Sequence, residues 1–123
     1  QFNVGIQGEL CGPGVQHNRY KIPDNRIYFF NVYDIDRGVL VGHELMLEIL
    51  SKTDLLVVPQ LGTFTLDHTI DQMVEMSVGY STLNPKVYRE GIVARPVVSD
   101  RDPDLGRLSF KAINPEYLLK HGD

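Results

Sequence analysis

Four short stretches of this 123-residue chain hold residue types suited to handling a nucleotide phosphate. They are Gln7-Gly8-Glu9-Leu10 with Gly12-Pro13-Gly14-Val15-Gln16-His17-Asn18, Tyr28 to Ile35, Glu90-Gly91-Ile92-Val93-Ala94-Arg95, and Arg107 to Asn114. A carboxylate carried on a strand accepts hydrogen bonds from ribose hydroxyls or holds a hydrated divalent ion, which makes Glu9 and Glu90 candidates. An aromatic ring on a strand, here Phe30 or Tyr33, offers a flat surface for a base. A strand lysine beside such a metal, here Lys111, stabilises phosphate charge in a transition state. Gly91, next to the second carboxylate, lets backbone come close to a ligand.

Each residue also has a plain structural role. Phe30 and Tyr33 suit a core. Lys111 suits the exposed side of an edge strand, and Glu90-Gly91 suits a simple strand entry. Order and coincidence, rather than any single residue, favour a site. His17, His43, His68 and His121 lack metal-ligand spacing, and Cys11 lacks activating neighbours.

Positioning these residues requires strands. Phe2 to Leu10 alternates apolar with polar or small residues, which predicts a strand with Phe2, Val4 and Ile6 on one face and Gln7 and Glu9 on the other. Arg26 to Ile35 is rich in aromatic and β-branched residues and predicts a second strand, buried on both faces or offering one as a binding wall. A short helix is expected over 41–50, and a buried strand over 55–58 ended by Pro59. Thr65 or Asp67 is expected to cap a helix running to Ser77, with Ile70, Met73, Val74 and Val78 as its apolar stripe and Gly79 as its stop. Strands are expected over 90–98 and 105–113 around the turn Asp100-Arg101-Asp102-Pro103-Asp104. Asn114-Pro115 should start a terminal helix. The sum is one α+β unit: a largely antiparallel sheet with a few packed helices.

A formal net charge of −4 argues against an overall basic nucleic-acid footprint. The cluster Arg89, Arg95, Arg101, Arg107 and Lys111 is partly offset by Asp100, Asp102 and Asp104. One cysteine excludes an internal disulfide and fits a reducing, cytoplasmic setting. No apolar run has the length of a membrane span, so no membrane partner is expected.

In this order, the four stretches resemble motifs III, IIIa, IV and V of the covalent nucleotidyltransferases, which include polynucleotide ligases and capping guanylyltransferases. Gly8-Glu9-Leu10 with Gly12-Pro13-Gly14-Val15-Gln16, and Ser109-Phe110-Lys111 running into Asn114-Pro115-Glu116-Tyr117-Leu118-Leu119-Lys120, are most similar to ATP-dependent RNA ligases. The resemblance implies the later part of an ATP-grasp-like ligase adenylation domain over residues 1–123. It also implies ATP and Mg2+ or Mn2+ as cofactors, and RNA ends as partners. ATP would adenylate a lysine, AMP would pass to an RNA 5′-phosphate, and a 3′-hydroxyl would displace it. By the same resemblance Glu9 contacts the ribose and Tyr33 stacks on adenine, with Phe30 as the alternative. Glu90 helps to bind the divalent metal, and Lys111 contacts the α-phosphate.

Two departures stand out. Ser109 occupies the place of the first motif V lysine, where Arg107 is a possible substitute. The nucleophile of the family is a lysine in a Lys-x-Asp-Gly type motif upstream of motif III. None of the five lysines here (Lys21, Lys52, Lys86, Lys111 and Lys120) has that context. The chain also opens on Gln1 in a strand-like pattern, which suggests a fragment. The expectation is therefore an inert fragment whose exposed strand edges favour self-association. The alternatives are a DNA-ligase or capping-type relative, and a noncatalytic assembly module on the same fold.

Overall fold

The computed structural model describes residues 3–97, 101–102 and 106–121, with 101–102 and 106–107 described by backbone alone. The expected α+β arrangement is present. β1 (Val4–Cys11) pairs antiparallel with β2 (Arg26–Asp34). Asp34 and Gly38 then turn the chain into β3 (Val39–Leu40), with the Gly38 N–H donating to the Asp34 carbonyl at 2.8 Å. Gly38 has φ +69°, a conformation that glycine adopts without strain.

The β1–β2 register shifts between Gln7 and Gly8: Gln7 opposes Asn31 and Gly8 opposes Phe29, which leaves Phe30 as the extra residue of a β-bulge. A bulge reverses which side chains of its strand share a face. Paired residues of antiparallel strands point the same way, so one face carries Ile6, Gly8, Phe29 and Val32. The other carries Gly5, Gln7, Glu9, Tyr28, Asn31 and Tyr33. The placement of Glu9 and Gln7 opposite Val4 and Ile6 agrees with the sequence; Phe2 lies outside the described residues.

The first face is the core side. Val32 is fully buried with Met46 and Leu50 of α1 (His43–Ser51), and Phe29, Val41, Leu47, Ile49 and Val57 pack around them. Each such buried side chain contributes about 1.5–3 kcal/mol. Val4 and Ile6 lie beyond this cluster and stay exposed.

Several elements differ from expectation. The 55–58 strand is a two-residue edge, β4 (Leu56–Val57), parallel to β2, with Leu55 and Leu56 exposed rather than buried. The next helix, α2 (Ile70–Ser77), is capped by Thr69, not Thr65 or Asp67. The Thr69 hydroxyl accepts the Gln72 N–H at 3.2 Å, and the Gln72 side chain accepts the Thr69 N–H at 2.8 Å. This reciprocal pair satisfies two orphan donors of the first turn and overrides the earlier cap residues. Met73 is buried, whereas Ile70 is 83% exposed and leaves the stripe.

The second sheet is β5 (Gly91–Ala94) against β8 (Phe110–Ile113), antiparallel, with α3 (Pro115–His121) following. β5 is shorter than the expected 90–98 strand because Pro96 cannot donate to a ladder. The expected 105–113 strand is broken. β7 (Gly106–Arg107) pairs with β6 (Arg101–Asp102) in a separate small hairpin, and β8 begins at Phe110. Val98, Asp100, Pro103, Asp104 and Leu105 lie outside the described residues, as do the side chains of Arg101 and Arg107.

Candidate functional site

Glu90 stands at the mouth of β5 and Lys111 on β8, where Lys111 opposes Val93. The Lys111 ammonium donates to Glu90 Oε1 at 2.7 Å, and the two side chains are 45% and 46% exposed. Lys111 does face outward from its strand, but onto a carboxylate. The approach depends on Gly91. A Cβ there would lie 2.1 Å from the Ala112 carbonyl oxygen, closer than any real contact, so only glycine lets β5 meet β8 at this point.

Asn114 fixes the far side. It is wholly buried; its N–H donates to the Glu90 carbonyl at 2.8 Å and its Nδ2 donates to the Arg89 carbonyl at 2.9 Å. Its Oδ1 accepts the Glu116 N–H at 3.0 Å, the N-cap bond of α3 that Asn114-Pro115 predicts. Arg89 in turn caps α2, donating to the carbonyls of Ser77, Met76 and Val78 at 3.0, 2.6 and 3.1 Å. Main chain on both sides of Glu90 is thereby tied to two helix ends.

On the first sheet, the polar face holds Glu9, Gln7, Asn31 and Tyr33. Gln7 Oε1 accepts from Asn31 Nδ2 at 2.8 Å. Asn31 Oδ1 accepts from Arg95 Nη1 at 2.7 Å, and Arg95 Nη2 donates to the Phe30 carbonyl at 2.7 Å. Arg95 follows β5, so this chain of bonds joins the two sheets. It also occupies the carbonyl at the bulge. Tyr33 is 41% exposed and lies opposite Gly5, which has no side chain. Phe30 is the half-buried bulge residue. Of the two aromatics, Tyr33 shares the face of Glu9.

The loop after β1 joins the two carboxylates. Gln16, His17 and Asn18 have φ of 46°, 62° and 45°, and Lys21 has 53°, a left-handed cluster unusual for residues with side chains. The Asn18 side chain holds it, donating to the Ile22 carbonyl at 2.9 Å and accepting the Ile22 N–H at 3.0 Å. Tyr20 leaves this loop so that its hydroxyl oxygen accepts the Glu90 N–H at 2.9 Å. Burial raises the Tyr20 pKa, the bond from the Glu90 N–H opposes that rise, and the charges of Glu90 and Glu9 add to it. Both carboxylates therefore act on one phenol. Burial, then the charge of Glu9, likewise raises Cys11, as expected of a thiol without activating neighbours.

Glu90 and Lys111 are thus brought into contact, and Glu9 and Tyr33 share the polar face of the first sheet. Ser109 is exposed beside β8. Sequence reading missed Tyr20 and Asn31 and treated Arg95 as part of a charge cluster. Nothing local marks them, since their partners lie 24 to 70 residues away. Among the described residues, no three His, Cys, Asp or Glu side chains gather as a closed metal site. An isolated carboxylate suits a Mg2+-type ion, which keeps waters and takes its other ligands from substrate phosphates.

A four-stranded mixed sheet and a two-stranded antiparallel sheet flanked by helices, with a carboxylate–lysine pair at the second and a face bearing Glu9 and Tyr33 on the first, define a nucleotidyltransferase-type α+β domain. The RNA ligase family model matches residues 1–113. This chain belongs to the RNA ligase family. Solved structures of a Naegleria gruberi RNA ligase are similar to it. With PPi, that enzyme matches at 35% identity and TM-score 0.83, covering 99% of this chain and 35% of the other. A mutant with ATP and Mn matches at 33% identity and TM-score 0.83, covering 98% and 35%. An apo mutant matches at 32% identity and TM-score 0.87, covering 99% and 35%. The chain spans about a third of the length of these relatives. No curated protein matches it.

Proposed function

We propose that these residues form the nucleotide- and metal-handling part of an ATP-dependent RNA ligase. That enzyme joins RNA 5′-phosphate and 3′-hydroxyl ends through lysyl-AMP and adenylylated RNA. The observation that carries this reading is the 2.7 Å contact between Lys111 and Glu90, on a domain of the RNA ligase family. The Naegleria structures with ATP and Mn support ATP and a divalent ion as the ligands.

In this reading Glu90 supplies the protein oxygen to a divalent ion, which when bound neutralises phosphate charge. Lys111 would present its ammonium to the α-phosphate oxygens, offsetting their negative charge in the transition state as pyrophosphate leaves with the electron pair of the broken bond. Glu9 accepts from ribose hydroxyls, and Tyr33 offers its exposed ring to the adenine. Ser109, in place of a second lysine, leaves Lys111 as the ammonium on β8.

Covalent adenylation needs a lysine whose amine is activated and in line with the α-phosphorus. None of the five lysines lies in the Lys-x-Asp-Gly type context of the family's nucleophile, and the Lys111 ammonium is already engaged by the Glu90 carboxylate. The 123 residues by themselves therefore bind nucleotide without becoming adenylated. Intact-mass measurement after incubation with ATP and Mg2+ tests this. An unmodified chain is expected, and a gain of one AMP would contradict the assignment of Lys111 to phosphate contact rather than attack.

A further inference from the structure

Glu90 has a defined partner for each of three polar groups. Its carbonyl accepts the Asn114 N–H, its Oε1 accepts from Lys111, and its N–H donates to the Tyr20 hydroxyl. The first two partners belong to the strand–helix unit that carries Lys111. The third comes from the loop after β1, eleven residues beyond Glu9. Glu90 precedes the ladder, whose first pair is Gly91 with Ile113. Its N–H donates to the Tyr20 hydroxyl of the loop and takes no part in that ladder.

That loop is built to hold the ring still. The Tyr20 carbonyl accepts Asn84 Nδ2 at 3.0 Å, and the Asn18–Ile22 pair of bonds closes the turn around it. Ile22 anchors the exit with 4% exposure. On the α3 side, the Arg19 guanidinium lies 5.9 Å from the centroid of the Tyr117 ring. A half-buried hydroxyl on such a mount acts as a fixed stop for the main chain it accepts from.

We propose that Tyr20 is a positioning residue: its hydroxyl sets the main chain at Glu90, and so places the Glu90–Lys111 pair relative to Glu9 on the first sheet. The inference rests on the reading of Glu90 and Lys111 as the metal- and phosphate-handling pair. Loss of a group that orients a metal-binding carboxylate typically weakens metal affinity about 10- to 100-fold. The phenol touches no reacting atom in this scheme and acts through Glu90 alone.

Tyr20→Phe removes the hydroxyl and keeps the ring. In the 123-residue chain, the Glu90 amide should then exchange with solvent about tenfold faster or more. The β5–β8 ladder amides should hold their protection, and the melting temperature should fall by a few degrees at most. Binding of Mn2+–ATP, followed by paramagnetic broadening, should weaken about tenfold or more, as it should for Glu90→Gln. A Glu90 amide unchanged in Tyr20→Phe would overturn the proposal. Wild-type binding that Tyr20→Phe leaves intact would overturn the role of Tyr20 alone. Absence of Mn2+–ATP binding by the wild type would instead overturn the reading of the site, and the role with it. If Tyr20→Phe does not fold, Asn84→Ala serves, since it releases the Tyr20 main chain and keeps the hydroxyl. Faster Glu90 exchange with weaker Mn2+–ATP binding is again expected, and no change in either would overturn the proposal.

Discussion

Lys111 Nζ and Glu90 Oε1 lie 2.7 Å apart across a two-stranded sheet, with both side chains nearly half exposed. An ion pair so open to water contributes little to folding, because solvent screens it and two long side chains lose freedom to make it. A pair kept for stability alone would sit deeper. Glu90→Gln and Lys111→Met should therefore change unfolding free energy by less than about 1 kcal/mol each. Both should weaken Mn2+–ATP binding severely. Urea melts and a ligand titration on the same samples separate the two effects.

Arg95 should show the opposite behaviour. Its guanidinium satisfies the Phe30 carbonyl at the bulge and the buried Asn31 side chain at once. Arg95→Ala leaves both short of a donor, and a loss of about 2–3 kcal/mol is expected. Lysine lacks the planar fork that spans two acceptors, so Arg95→Lys should recover less than half of that loss. Denaturant midpoints at unchanged slope provide the check.

Gly91→Ala should be among the most damaging single-methyl changes. The added carbon meets main chain rather than a flexible side-chain tip, so β5 and β8 must separate. About 2–3 kcal/mol of destabilisation is expected. The Glu90–Lys111 contact should open as well, visible as loss of the cross-strand proximity signals between Val93 and Lys111 in NMR spectra.

Stability should fall on the alkaline side. Tyr20 and Cys11 both have pKa values raised above their usual 10.0 and 9.0, chiefly by burial. An acid raised in this way holds its proton more tightly when folded. Its contribution is complete below the unfolded pKa and is lost as pH rises through the folded value. The window thus opens near pH 9 for Cys11 and near pH 10 for Tyr20. Cys11→Ser should flatten the earlier part of the decline and Tyr20→Phe the later part, measured as urea midpoints from pH 8 to 11.

Much of this domain was written locally. The alternation over Phe2 to Leu10 and the β-branched and aromatic run from Arg26 place the two long strands to within a residue or two, because period-two polarity and β-propensity are properties of the segment itself. Asn114-Pro115 likewise announces α3, since cap chemistry needs neighbours within one turn. The cap of α2 was legible too: Thr69-x-x-Gln72 is a capping box, and Thr65 and Asp67 were the wrong choices for want of a glutamine or glutamate three residues on.

The sequence by itself determined which residues were available: the strand-borne Glu9 and Glu90, the aromatics around Tyr33, Gly91, Lys111, and a family pattern that orders them. Tertiary structure decided how they stand to one another. The bulge at Phe30 reverses facing within β2 and sets Tyr33, not Phe30, on the face of Glu9. The Arg95–Asn31–Gln7 chain and the Tyr20–Glu90 bond then tie the two sheets together. A register shift or a cross-sheet hydrogen bond is a contest between contacts made by residues dozens of positions apart, and no local pattern of polarity records which of those contacts wins.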